Sequence, residues 1–412
     1  MTSIEKNVLD FLYKWRYALF LSIITILACF IRILFIPIES GDYENFLKVW
    51  FDTLKQNGGF LAIKNPIGDY NIPYLTILAC LTYLPLSSLV SIKLVSIIFD
   101  FFGAIVAALI VKKLTKSYKY SSLITVLTYT IVIFLPTVVL NGSAWAQCDS
   151  IYTSFILLSF YLLMDKKYFW SLFVYGIAFS FKLQAIFVLP IFIIIYLINK
   201  DFSIFNFLLI PGANLFLSLP ALLLGYPLKN LVLIYLNQTN TYHYLVMNFP
   251  NIYNLVDNNY YDLLKLPGII FTVIIIGIFT MTIWCMKTRI SNEEIITYAL
   301  WQVMAMAFFL PSIHDRYLFT ADILSIIYFM IQRKNIYIPI FINLASLSTY
   351  IIYLFEMPSL FEISSLFEIP SLFEVSSSNT ILMTYVYLIT LSFFTFQVFK
   401  EIFNSHGRIK ST

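Results

Sequence analysis

The chain has 412 residues, 60% hydrophobic and 12% charged, with a mean hydropathy of +0.84. Soluble domains carry roughly 25% charged residues, so this composition excludes a soluble enzyme and points to a polytopic, all-α membrane protein. The net charge of +4 suits the Lys/Arg excess of cytoplasmic loops and argues against a nucleic-acid partner.

Residues 1–16 carry Lys6, Lys14 and Arg16, which places the amino terminus in the cytoplasm. The first span is expected over 17–38, with Arg32 near its outer end and able to snorkel. No small-residue cleavage site follows it, so it reads as a retained span. It delivers a first extracytoplasmic loop, residues 39–90. The polar part of this loop, ESGDYENFLKVWFDTLKQNGGFLAIKNPIGDYNIPY from Glu39 to Tyr74, holds Asp42, Glu44, Asp52 and Asp69. Asn57-Gly58-Gly59 marks a turn between two amphipathic loop helices. Residues 73–87, bracketed by Pro73 and Pro85, are apolar but short and read as a re-entrant helix.

Eleven further spans are expected, at 91–112, 121–140, 148–164, 168–181, 183–199, 203–225, 266–286, 294–311, 315–331, 335–355 and 379–399. With 17–38 they make about twelve transmembrane helices in one integral domain, 1–412, with both termini inside. Lys112, Lys113, Lys116 and Lys119, then Lys166 and Lys167, Lys200, Lys287 and Arg289, Arg333 and Lys334, and finally Lys400, Arg408 and Lys410 all fall on the inner side, as positive charge prefers. Further outer loops are expected at 226–265 and 352–378. The second contains a six-residue repeat, IYLFEM, PSLFEI, SSLFEI, PSLFEV. Its period matches no helical face, so it reads as a tolerated insertion. Lys outnumbers Arg, which suggests an AT-rich, bacterial genome and hence the plasma membrane.

The four cysteines are scattered, with no CxxC and no Cys/His cluster. They read as small apolar residues, and no metal site is assigned. P-loop, dinucleotide, HExxH and nucleophile-elbow motifs are absent, so no cofactor is expected. A divalent cation at Asp42 and Asp69 is left open.

On this topology, polar residues from distant parts of the chain converge on the outer face: Asp42, Asp69, Gln147, Asp149, Lys182, Gln184, His243, His314, Asp315 and Arg316. An ionisable group at membrane depth costs several kcal/mol and marks a cavity, a partner or a pathway. Asp42 reads either as a helix N-cap or as a general base that takes the proton of an attacking hydroxyl. Asp69 lies in a Gly/Asn turn before Pro73 and is equally a turn residue. Asp149 opens an expected span and either caps it or holds a sugar hydroxyl. Lys182, between two apolar segments, either snorkels or reaches an anion such as a lipid phosphate. Arg316 suits phosphate oxygens, with His314 as a second donor, unless Asp315 simply neutralises it. His243 reads as loop surface. Tyr43, Tyr70, Asn71 and Gln147 are expected to line the substrate.

The stretches SGDYENFL with its downstream NGGF, DYNIPY, WAQCDSIY, FSFKLQAIF and HDRYLF, in this order over roughly residues 39–320, resemble the GT-C fold glycosyltransferases. More closely, they resemble the bacterial membrane proteins related to the second mannosyltransferase of GPI-anchor synthesis. The resemblance implies a many-helix membrane fold with a large first outer loop, a polyprenyl-phosphate-linked sugar donor, a lipid or glycan acceptor and inversion at the anomeric carbon. It puts Asp42 in the place of the first-loop catalytic acid. It puts Lys182, Gln184, His314 and Arg316 where donor phosphate contacts are expected, and Asp69 and Asp149 on further motif acids. Ala146 departs from a common glycine and Val49 from a common proline, both read as remote from the chemistry. The rival reading is a transporter or flippase of a lipid-linked sugar, which would grip the same phosphate. An O-acyltransferase or polymerase of surface polysaccharide is a third.

Overall fold

The computed structural model describes residues 1–238, 242–355 and 376–410; the repeat over 356–375 lies outside them. The chain is 80% helical and all-α. Its helices are α1 (Ser3–Phe35), α2 (Lys48–Gln56), α3 (Ile72–Leu81), α4 (Ser88–Leu114), α5 (Ser121–Phe134), α6 (Pro136–Val139), α7 (Asp149–Met164), α8 (Tyr168–Phe181), α9 (Leu189–Asn199), α10 (Leu209–Leu223), α11 (Asn230–Gln238), α12 (Tyr261–Met286), α13 (Asn292–Phe309), α14 (Phe319–Gln332), α15 (Tyr337–Phe355) and α16 (Ser376–Lys410). Two short strands, β1 (Val246–Met247) and β2 (Ile313–His314), pair in parallel.

Among the described residues six helical stretches are long and apolar enough to cross a membrane, or seven if the bent pair α5–α6 is one span. That is fewer than twelve. The five other expected spans fall on α7, α8, α9 with the turn before it, α13 and α14. Four of these are apolar but shorter than 18 residues; the fifth, α13, carries Asn292, Glu293, Glu294 and Gln302. At 1.5 Å per residue, α8 is about 21 Å long, short of the ~30 Å hydrocarbon layer.

Three local features explain other departures. Helix α1 extends ahead of the expected 17–38 span to Ser3, because Thr2 and Glu5 form a capping box: Glu5 N donates to Thr2 Oγ1 at 3.3 Å and Thr2 N to Glu5 Oε2 at 2.6 Å. Pro136 bends the α5–α6 pair by 52°, since proline excludes the helical hydrogen bond and the residue before it leaves the α region. The expected 226–265 loop contains α11 and the start of α12.

Helix α4 is the axle. Of its apolar window 61% is buried, against 11% for α1. It packs on α5, α7 and α14. Small residues let α7 come close: a Cβ on Gly103 would lie 2.8 Å from Ser154 Oγ. Ser150 and Ser154 hydroxyls donate to the Ser96 and Phe99 carbonyls of α4 at 3.0 and 2.9 Å.

Two buried charges on α4 fix the end of α1. Arg32 does not snorkel. It is 1% exposed, pairs through Nε with Asp100 Oδ2 at 3.1 Å, and donates to the Ala28 and Ile133 carbonyls. An apolar interior makes pairing cheaper than a long reach to water for this side chain. Two turns toward the amino end of α4, Lys93 Nζ donates to the terminal carbonyls of Phe35, Ile36 and Ile38, a cationic cap on a helix C-terminus.

Removing one partner of a buried pair strands the other charge. Asp100→Ala is therefore expected to destabilise the detergent-solubilised protein by about 3–5 kcal/mol. The double variant Arg32→Leu/Asp100→Leu should recover most of that loss. Denaturant or thermal unfolding of the three proteins checks both expectations.

Candidate functional site

The carboxyl ends of α1, α8, α13 and α15 and the amino ends of α7 and α14 meet at one end of the bundle. The first loop lies against them, and so do residues 242–247, with Tyr242 against His314 and β1 paired to β2. Asp42 follows α1 by seven residues. It stands at the start of the π turn Tyr43–Leu47, but its side chain makes no capping bond; the Tyr43 amide donates instead to Ser40 Oγ at 3.2 Å. Ser40 in turn donates to the Trp145 carbonyl at 2.8 Å.

The Asp42 carboxylate is instead the hub of the site. Its Oδ2 accepts from Trp145 Nε1 at 2.9 Å, Gln147 Nε2 at 2.7 Å and Arg316 Nη1 at 2.7 Å. Its Oδ1 accepts from the Tyr353 hydroxyl at 2.8 Å. Asp149, 1% exposed, is the second hub. Lys182 Nζ donates to its Oδ1, Asn141 Nδ2 to its Oδ2 at 2.9 Å, and Arg316 Nε lies 3.5 Å from Oδ2. Asp149 makes no capping bond for α7. The four ions form a chain of alternating sign, Asp42, Arg316, Asp149, Lys182. Arg316 also lies over the Trp145 ring at 4.7 Å, and Trp145 stacks on Tyr353 at 4.2 Å.

Local backbone explains these placements. Lys182 ends α8 in an extended conformation (φ −151°, ψ 136°) before a tight turn, which turns its amine toward Asp149. Ala146 sits at φ 65°, a left-handed geometry that costs a residue with a Cβ about 1–2 kcal/mol. It reverses the chain between Trp145 and Gln147, so that both donate to Asp42. Ala146 therefore bears directly on the site, contrary to the sequence expectation. Gly68 (φ 63°) turns the chain ahead of Asp69; a Cβ there would strike the Trp50 ring at 2.3 Å.

The other expected site residues divide. Gln147 joins the hub, and its Oε1 accepts from the Tyr70 hydroxyl at 3.2 Å. Asp69 is half-buried, and its main-chain carbonyl accepts from Gln238 Nε2 at 2.6 Å. Asn71 Oδ1 accepts from the same amide at 3.3 Å, while its buried Nδ2 has no partner among the described residues. Gln184 lies beside Tyr317. His314 packs between Tyr242 and Tyr317, with ring centroids at 5.1 and 5.5 Å. Asp315 is not the main partner of Arg316, at 3.9 Å against 2.7 Å for Asp42. Tyr43 does not reach the site; its ring is buried and its hydroxyl meets Ser88 Oγ at 2.8 Å. His243 is exposed and stacks near Tyr261. Sequence reasoning missed Trp145, Asn141, Gln238 and Tyr353. For the first two, proximity to Gln147 and Asp149 was the available signal; the last two lie in apolar or loop contexts without one.

Among the described residues no group of three or more His, Cys, Asp or Glu side chains is placed to share a metal ion. Asp42 suits a cation poorly, because the Arg316 guanidinium already pairs with its Oδ2 at 2.7 Å.

Burial by itself would raise Asp42. The Arg316 guanidinium and the hydrogen bonds from Tyr353, Trp145 and Arg316 outweigh it and hold the carboxyl below its ordinary value. Burial raises Asp69, helped by the Asp42 charge. Burial pushes Asp315 up to about 7 against the pull of Arg316. Burial, with Arg316 and Lys182 close by, pushes His314 down to about 3, so the imidazole is neutral at neutral pH. In the unfolded chain His314 takes up its proton near 6.5. Between pH 6.5 and 3 the unfolded state then binds the extra proton, and stability falls as pH falls. Asp315 acts in the opposite direction from 7 down to 3.8. Acid unfolding of wild type against His314→Gln isolates the His314 contribution: wild type should lose stability relative to the variant as pH drops from 6.5 to 3.

No protein-family model matches the chain, and no curated protein matches it.

Proposed function

We propose that the chain is a membrane glycosyltransferase of GT-C type. It moves a mannose-like hexose from a polyprenyl-phosphate-linked donor to a lipid or glycan acceptor. The proposal includes a plasma-membrane, twelve-span topology with both termini cytoplasmic and the site extracytoplasmic. In it, the short helices α7, α8, α9 and α14 cross together with their adjoining turns. The observation that carries the reading is the meeting of Asp42 and Arg316, 274 residues apart, at 2.7 Å at one end of a membrane bundle.

In the proposed step a hydroxyl of the acceptor attacks the anomeric carbon and gives its proton to Asp42. The new C–O bond forms as the bond from carbon to phosphate oxygen breaks, with inversion. The polyprenyl phosphate leaves as an anion beside Arg316 and Lys182, with neutral His314 as a hydrogen-bond donor. Asp42 and the phosphate compete for the same guanidinium. Donor binding draws Arg316 toward phosphate and weakens the attraction that holds Asp42 low, so the carboxylate becomes a stronger base as the donor arrives. No resident cofactor enters this scheme.

A lipid-linked-sugar flippase is the second reading, favoured by the charged groups inside the helices: Arg32 with Asp100, and the fully buried Asp322. Proteoliposomes with radiolabelled polyprenyl-phosphate hexose separate the two. Transfer of label to acceptor by wild type and at least a hundredfold less by Asp42→Asn is expected, with Arg316→Ala chiefly raising the KM for donor. Label that crosses the bilayer unchanged identifies a flippase.

A further inference from the structure

We propose that Tyr353 is a positioning residue for Asp42 and that the two together form the receiving site for an acceptor with neighbouring hydroxyls. This inference rests on the glycosyltransferase reading above. The argument starts from the unequal loading of the two Asp42 oxygens. Oδ2 accepts from three donors, Trp145, Gln147 and Arg316, which exceeds its two lone pairs. Oδ1 accepts from Tyr353 alone among the described residues, so the open lone pair of the carboxylate is on Oδ1. The attacking hydroxyl therefore donates there, and Oδ1 is the atom that takes its proton.

A phenol stays protonated at neutral pH. Tyr353 has its one proton committed to Oδ1; its Oη also receives the Asp42 backbone amide, which leaves one of its two lone pairs to accept. Oη and Oδ1 lie 2.8 Å apart, which is hydrogen-bond spacing and suits two hydroxyls on adjacent carbons. One hydroxyl donates to Oδ1 and attacks; its neighbour donates to Tyr353 Oη. A sugar ring, an inositol or a glycerol unit carries this pair, and a simple alcohol does not.

Tyr353 is held firmly enough for this role. Its ring stacks on Trp145 with an interplanar angle of 11°, and it packs in a small apolar cluster with Phe35, Ile38, Leu140 and Tyr350. Gly41 leaves room for it: a Cβ there would lie 3.3 Å from Oη. The charged and titratable groups around Asp42 are Arg316, Asp315 and His314 ahead of α14, Asp69 in the first loop, Tyr242 in the later loop, and Tyr353 on α15. The Tyr353 hydrogen bond is one of the contacts that keep the carboxylate ionised.

The test is transfer by the full chain in proteoliposomes, with undecaprenyl-phosphate mannose as donor. The acceptors are an alkyl hexoside and its monodeoxy analogues, and the pH–rate profile is recorded. Tyr353→Phe should lower kcat about tenfold without changing the KM for donor. It should also move the acid limb of the profile to higher pH, because Asp42 loses a stabilising donor. The tenfold difference should shrink on the analogue that lacks the neighbouring hydroxyl. Gly41→Ala, which crowds Oη, should shift the limb in the same direction and serves if Tyr353→Phe does not fold. Transfer by wild type with an acid limb unmoved in both variants overturns the inference while leaving the glycosyltransferase reading in place. Absence of transfer by wild type overturns that reading itself.

Discussion

Charge in an apolar bundle has to be neutralised where it sits. An isolated ion moved into low dielectric loses several kcal/mol or more of solvation, and the long helices of this chain leave little water to restore it. The structure meets this constraint with short chains of alternating sign. Arg32 and Asp100 join α1 to α4. Asp42, Arg316, Asp149 and Lys182 join the first loop, the turn before α14, the start of α7 and the end of α8. Each pair is also a distance restraint, and together they determine where the helix ends lie.

The two chains are mechanically linked. Lys93, seven residues before Asp100 on the same helix, caps the end of α1, and the chain reaches Asp42 a few residues later. The position of the Asp42 carboxylate thus depends on the packing of α4 as well as on its own four donors. A carboxylate already held by four donors loses little conformational freedom when a ligand arrives. It also places a condition on any anionic ligand, which has to take Arg316 or Lys182 away from a carboxylate that already holds it.

Much of the site was legible in the sequence because polar residues are rare against so apolar a background. Asp42, Gln147, Asp149, Lys182 and Arg316 stood out by cost alone, and the structure brings these five together. Their pairing was not legible. Lys182 read as snorkelling or reaching a phosphate, and Arg316 as a phosphate donor or a partner of Asp315, whereas the structure pairs them with Asp149 and Asp42. Tyr353 was missed for the converse reason: one tyrosine among 29, inside an apolar helix, carries no cost signal. Tyr43, next to Asp42, was expected at the substrate, but the wide π turn over Tyr43–Leu47 carries its ring into the core. Arg32 was expected at the interface because snorkelling depends only on reach, while its partner Asp100 is 68 residues away.

By itself the sequence determined that the protein is all-α, with helices apolar enough to cross a membrane, where most of its apolar segments begin and end, and which rare polar residues are costly enough to need partners. These follow from composition, from hydrophobic run length and from local backbone chemistry at Lys182 and Gly68; the bend at Pro136, inside the expected 121–140 span, emerged only from the structure. Tertiary structure alone decided which carboxylate faces which cation, that Ala146 turns Trp145 and Gln147 onto Asp42, and that Tyr353 completes the hub. The physical reason is range: backbone propensity and burial cost act within a few residues. A hydrogen bond such as Tyr353 to Asp42, spanning 311 residues, is set only when every helix between them has packed.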